Sequence, residues 1–122
     1  KIRDGLGMTQ AVEFLGYVPD DRLKEEFRTC RLFALPSRKE GFGLVYVEAM
    51  AHSRPCLAAR AGGATEVVSP ESGVLVEHGD VPAIAQAAVH ALRHPWDEEA
   101  LLNRAREFSY ETFRGRLERL LA

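Results

Sequence analysis

Glu40 and Glu48 are two carboxylates separated by seven residues, two of them glycines, a pairing suited to acid–base work or to holding hydroxyl groups. They belong to the segment PSRKEGFGLVYVE, in which Pro36-Ser37 ends an apolar run and a glycine-containing loop leads into a helix at about residues 44–52. Gly41 and Gly43 let the backbone approach a ligand closely. The N–H groups of Gly43, Leu44 and Val45 come before the first intrahelical acceptors, so they favour an anion such as phosphate. Glu40 stands in the loop, whereas Glu48 falls one to two turns into the helix among Val45, Tyr46, Val47, Ala49 and Met50. An unpaired carboxylate is costly among apolar neighbours. A sugar or ribose diol would satisfy it, and so would a salt bridge to Arg38, Lys39 or Arg54. An ordinary strand-to-helix turn uses glycines in the same way.

A second loop, Ala61-Gly62-Gly63-Ala64-Thr65-Glu66, follows the apolar run 55–59 and opens a short helix. In a parallel sheet both loops would leave the same strand edge, where open α/β sheets bind ligands. By itself this loop also reads as a turn whose glycines supply positive φ, with Glu66 in the first helical turn. Paired carboxylates serve glycoside hydrolysis when they flank one bond. One loop carboxylate and one helical carboxylate beside an anion site suit a sugar nucleotide better.

The elements that must position these loops follow from the apolar pattern. Residues 12–18 (VEFLGYV), 31–35, 55–59 and 73–76 are short apolar runs between turn residues and predict strands. Helices are expected over about 21–29, 44–52 and, briefly, 64–68. Asp80 caps the clearest helix, with Pro82 in its first turn; Ile84, Ala85, Ala88, Val89 and Leu92 form one face before His94-Pro95 ends it. Asp97, Glu98 and Glu99 open another to about Phe108, and Ser109 caps a last one carrying Phe113, Leu117, Leu120 and Leu121. Four strands alternating with helices predict an α/β fold, a Rossmann-like parallel sheet with helices on both faces. Four strands are few for this architecture, and further strands upstream of Lys1 would account for that.

With 122 residues the chain is expected to form a single domain, 1–122. Hydrophobic residues at 46% and charged residues at 28% exclude a disordered or fibrous chain. Sixteen Lys and Arg against 18 Asp and Glu leave a net charge of −2, which offers no cationic face for nucleic acid. The longest stretch free of formal charge, 81–92, is too short to span a bilayer. Cys30 and Cys56 sit in apolar runs, which suits reduced core thiols and a cytoplasmic location. His52, His78, His90 and His94 are dispersed and suit caps or the surface, and Trp96 is expected to pack the turn after Pro95. Arg104, Arg106, Arg114, Arg116 and Arg119 run alongside Glu107, Glu111 and Glu118, a solvated face rather than a membrane-binding one.

The run Glu40-Gly-Phe-Gly-Leu-Val-Tyr-Val-Glu48-Ala-Met-Ala, then Pro55, Gly62-Gly63-x-x-Glu66, Ser72-Gly73-Val-Leu-Val and Gly79-Asp80 resembles the donor-binding C-terminal domain of retaining glycosyltransferases. That large family of bacterial and plant sugar transferases includes sucrose, mannosyl and glycogen synthases and is built on the two-Rossmann-domain GT-B fold. The resemblance runs from Val12 to about Pro95 and continues more weakly beyond. It implies that Glu40 contacts hydroxyls of the transferred sugar and acts at the reaction centre. Phe42 and Gly43 would offer backbone contacts to the sugar, with Gly41 beside them in the donor site, Leu44 and Val45 would donate N–H groups to the diphosphate, and Glu48 would hold the ribose hydroxyls. Gly62, Gly63 and Glu66 would complete the donor site, with Gly16, Tyr17 and Val18 near the base. The family needs no bound metal, in keeping with the absence of an Asp-x-Asp motif or a His/Cys cluster here, and no cofactor beyond the substrate nucleoside diphosphate sugar. Ser53 stands where the family has glycine. The basic pair that binds the diphosphate, and the acceptor domain with its histidine, would precede Lys1, so the chain is expected to be part of a two-domain enzyme and inactive by itself. Two other readings stand beside this one: a nucleotide-binding module without turnover, and a scaffold that dimerises through an exposed sheet edge.

Overall fold

The computed structural model describes residues 2–36 and 43–121. Strands β1 (Phe33–Leu35), β2 (Cys56–Ala59) and β3 (Gly73–Val76) form one parallel sheet in the order β1-β2-β3. Phe33 pairs with Cys56, and Cys56 in turn with Gly73. Parallel neighbours require crossovers. The connection from β1 to β2 carries helix α3 (Leu44–Ala51), and that from β2 to β3 carries the single turn α4 (Ala64–Val67). Around these lie α1 (Ile2–Gly5), α2 (Asp20–Thr29), α5 (Val81–Arg93), α6 (Glu98–Arg106) and α7 (Tyr110–Leu121).

Strand alternation divides the core between the two sheet faces. All four residues of β2 are buried. Cys56 and Ala58 point into a cluster with Phe27 of α2, Tyr46, Ala49 and Met50 of α3, Ala64 and Val67 of α4, and Leu101 and Ala105 of α6. Leu57 points the other way, against Val76 of β3 and Ala87 of α5. Helices therefore cover both faces, as the Rossmann-like reading requires. The central strand β2 and the edge strand β3 sit unusually near each other at one point: a Cβ on Gly73 would lie 2.2 Å from the Cys56 carbonyl oxygen, so only glycine fits.

Three expectations need correction. The fourth strand, 12–18, is absent: the segment has no regular structure, with Phe14 70% and Tyr17 95% exposed. Its composition favours a strand, but a strand exists only as a member of a ladder, and this segment has no partner among the described residues. The face of α5 is rotated from the one expected. Ala87 and Ala91 are buried with Ile84 and Ala88 beside them, while Ala85, Val89 and Leu92 are exposed, because the small alanines permit the closer approach to the sheet. Finally, α2 begins at Asp20, one residue ahead of the expected start, with Pro19 at its N-cap.

Helix ends otherwise follow the capping signals. The Asp80 carboxylate accepts from Ala83 N at 3.1 Å and that of Asp97 from Glu99 N at 3.0 Å. Trp96 donates its indole N–H to Ala91 O at 2.8 Å, fastening the turn after α5. At the end of α3, Ser53 N donates to Met50 O and Arg54 N to Ala49 O, both at 2.9 Å, which is the Schellman pattern. Its left-handed position falls on Ser53, with φ of 61°. Cys30 and Cys56 are both free thiols, as expected.

Candidate functional site

Because β1 and β2 run parallel, the loops that follow them leave the same edge of the sheet. Glu40, Gly41 and Phe42 lie outside the described residues. Gly43 is the N-cap of α3 with φ of 73°, a left-handed conformation that glycine adopts without strain. The first intrahelical bonds are those from Tyr46 N and Val47 N to Gly43 O, so the amides of Leu44 and Val45 precede them, as helix-start donors do. Tyr46 anchors the helix from below: its hydroxyl donates to Leu35 O, the last residue of β1, at 2.5 Å. The loop is thereby tied at its two ends to one another.

The second loop closes on the first. A Cβ on Gly43 would meet Gly63 O at 3.2 Å and Val67 Cγ2 at 3.1 Å, so the N-terminus of α3 and the turn before α4 are in van der Waals contact. Gly63 O accepts from Glu66 N and Val67 N at 3.2 Å, and Thr65 Oγ1 donates to Gly62 O at 2.8 Å, which holds the turn in shape. Gly63 is buried and Gly62 exposed. The two glycine loops singled out by the sequence are thus brought together at one sheet edge.

Glu48 does not occupy the apolar setting expected of it. Leu44, at 65% exposure, and Glu48 lie on the solvent face of α3, while Tyr46, Ala49 and Met50 turn inward and Val45 and Val47 are half-buried. The run of apolar neighbours around Glu48 wraps the helix instead of burying the carboxylate. Arg54, one of its possible partners, is engaged elsewhere, donating from Nε to Phe27 O at 3.1 Å and from a terminal nitrogen to Arg28 O. Among the described residues Glu48 has no ion pair. His52 serves as a cap: its Nδ1 is 2.9 Å from Glu48 O and its ring stacks on Phe27. Glu66 is exposed. Gly16, Tyr17 and Val18 belong to the irregular stretch before α2, and the 95% exposure of Tyr17 means that neither loop covers its ring.

Sequence reasoning missed Arg104, counted with the solvated charges of the helical end. Its guanidinium donates to Glu66 O at 2.6 Å and to Val67 O at 2.9 Å, both on α4. No local pattern marks a contact made across some forty residues. Among the described residues no group of three or more His, Cys, Asp or Glu could hold a metal ion, and no helix is long and apolar enough to cross a membrane. A separate groove of about 360 Å³ runs against β3 and the end of α5, lined in part by Arg60, Ser69, Leu75, His90, His94 and Trp96.

A parallel sheet flanked on both faces, with two loops meeting at the C-terminal strand edge, is a Rossmann-like module, and its structural neighbours are GT-B glycosyltransferases. Residues 1–94 match the family described as glycosyl transferases group 1, and the chain belongs to that family. It is 42% identical to N-acetyl-alpha-D-glucosaminyl L-malate synthase of Bacillus anthracis, over 90% of this chain and 29% of that protein. It is 38% identical to D-inositol 3-phosphate glycosyltransferase of Acidothermus cellulolyticus, over 75% of this chain and 25% of that protein. Among solved structures, sucrose-phosphate synthase from Thermosynechococcus elongatus superposes with a TM-score of 0.84 at 30% identity, over 98% of this chain and 32% of that one. Anabaena HepE, in complex with UDP, superposes with a TM-score of 0.79 at 28% identity, over 98% and 34%. The chain thus spans about a third or less of the length of these relatives.

Proposed function

We propose that this chain is the donor-binding module of a retaining glycosyltransferase that moves a sugar from a nucleoside diphosphate to an acceptor hydroxyl without a bound metal. The observation that supports the reading is the contact between Gly43 and Gly63, which brings the amino end of α3 and the glycine turn before α4 together at the edge of the sheet where the loops after β1 and β2 emerge. Leu44 and Val45 N–H groups would take the diphosphate, where aligned amides favour an anion. Glu48, exposed one turn further along the same helix face as Leu44, would accept the ribose hydroxyls. Glu40, with backbone contacts from Gly41, Phe42 and Gly43, would address the transferred sugar, and Gly62, Gly63 and Glu66 would form the opposite wall. Gly16, Tyr17 and Val18 would reach the base. As the bond from the anomeric carbon to the diphosphate oxygen breaks, charge grows on the departing phosphate, and fixed amide dipoles stabilise it without reorganising. The UDP bound to HepE supports a nucleoside diphosphate as ligand class.

The ribose role separates from the diphosphate role when two probes are compared. Glu48→Ala is expected to weaken binding of UDP, GDP or ADP by about tenfold or more, the worth of charge-assisted hydrogen bonds, and to leave inorganic pyrophosphate binding unchanged. Equal weakening of nucleotide and pyrophosphate would contradict the assignment of Glu48 to the ribose.

A further inference from the structure

We infer that Arg104 is a positioning residue for the second loop of the site, an inference that rests on the donor-site reading above. Helix α4 is a single turn of four residues, too short to be stable by its own hydrogen bonds. Its closing carbonyls need outside partners. Arg104 supplies them from α6: Nε donates to Val67 O at 2.9 Å and a terminal nitrogen to Glu66 O at 2.6 Å. The remaining terminal nitrogen binds the Glu107 carboxylate, and the guanidinium carbon lies 5.0 Å from the centre of the Phe108 ring. Every side of the fork is engaged.

The placement matters because α6 touches both halves of the site. Leu101 and Ala105 of α6 belong to the buried cluster that includes Tyr46, Ala49 and Met50 of α3, the helix that presents Leu44, Val45 and Glu48. Arg104, between them in sequence, grips the far end of α4, whose near end carries Gly63 against Gly43. One helix therefore sets the distance between the two loops. A cation is favoured at a helix C-terminus, and Glu107 balances its charge locally. Lysine cannot reproduce two parallel N–H bonds to successive carbonyls. The family match ends at residue 94, so Arg104 lies beyond the matched segment while the carbonyls it holds lie within it.

The test compares wild type, Arg104→Gln and Arg104→Lys of the whole chain in two measurements. One is affinity for UDP, GDP and ADP; the other is hydrogen exchange at the amides of residues 66–68 against those of 47–50. Arg104→Gln is expected to weaken nucleotide binding about five- to twentyfold and to speed exchange at 66–68 about tenfold, with 47–50 changed less than about twofold. Arg104→Lys should fall between, retaining the charge but not the fork. A uniform loss of protection with unchanged nucleotide affinity would mark Arg104 as merely structural and overturn the inference. Should Arg104→Gln fail to fold, Arg104→Lys decides by the same criteria. Wild-type binding undisturbed in the folded variants contradicts the inference alone, whereas absence of binding by wild type contradicts the donor-site reading and the inference with it.

Discussion

Gly43 and Gly63 meet face to backbone: a methyl group added to Gly43 would lie 3.2 Å from the Gly63 carbonyl oxygen and 3.1 Å from a Val67 methyl. The contact joins the loop after β1 to the loop after β2 and depends on a residue without a side chain in a left-handed conformation. Gly43→Ala is therefore expected to lose about 1–3 kcal/mol of stability, from backbone strain and crowding together. Chemical denaturation measures it. A change below about 0.5 kcal/mol would show that the loops can separate at little cost.

Ser53 holds the left-handed position of the Schellman turn after α3, where glycine is at ease and serine is strained. Ser53→Gly should stabilise the fold by about 0.5–1 kcal/mol, the relief of φ strain being partly offset by a freer unfolded chain. A thermal or denaturant midpoint that moves downward would contradict the assignment of strain to this residue.

Cys56 lies fully buried on β2, and burial pushes its thiol up to about 12 from an ordinary 9.0. The folded state thus holds the proton more tightly than the unfolded state. The resulting stability is intact below pH 9 and is lost as pH rises from 9 toward 12. Relative to Cys56→Ala, wild type should lose stability over that window by an amount on the order of a few kcal/mol. In the native state at neutral pH, a thiol reagent should modify half-buried Cys30 well before Cys56. Equal rates would mean that β2 opens without global unfolding.

Much of this fold is legible residue by residue. Asp80 followed by Pro82 marks the start of α5, Asp97 the start of α6, and the glycine runs at 41–43 and 62–63 mark the loops, because caps and turns are decided by neighbours in sequence. What depends on distant partners is not. Residues 12–18 have the composition of a strand but no ladder to join among the described residues, and the buried face of α5 turned on which alanines could meet the sheet. Glu48 reads as buried from its neighbours and is exposed by the helix's orientation. Arg104 reads as a surface charge, since nothing near it in sequence signals the Glu66 and Val67 carbonyls.

Whether the two glycine loops form one nucleotide-sugar site is decided by titrating the isotope-labelled chain with UDP, GDP and ADP and following every backbone amide. Weak binding, with Kd of about millimolar, is expected. The amides of Leu44, Val45, Gly62 and Gly63 are expected to move together along one saturation curve, with Glu48 and Glu66 following. Shifts confined to the groove beside β3, around Ser69, His90 and Trp96, or none at any concentration up to saturation of the solution, would contradict a shared site.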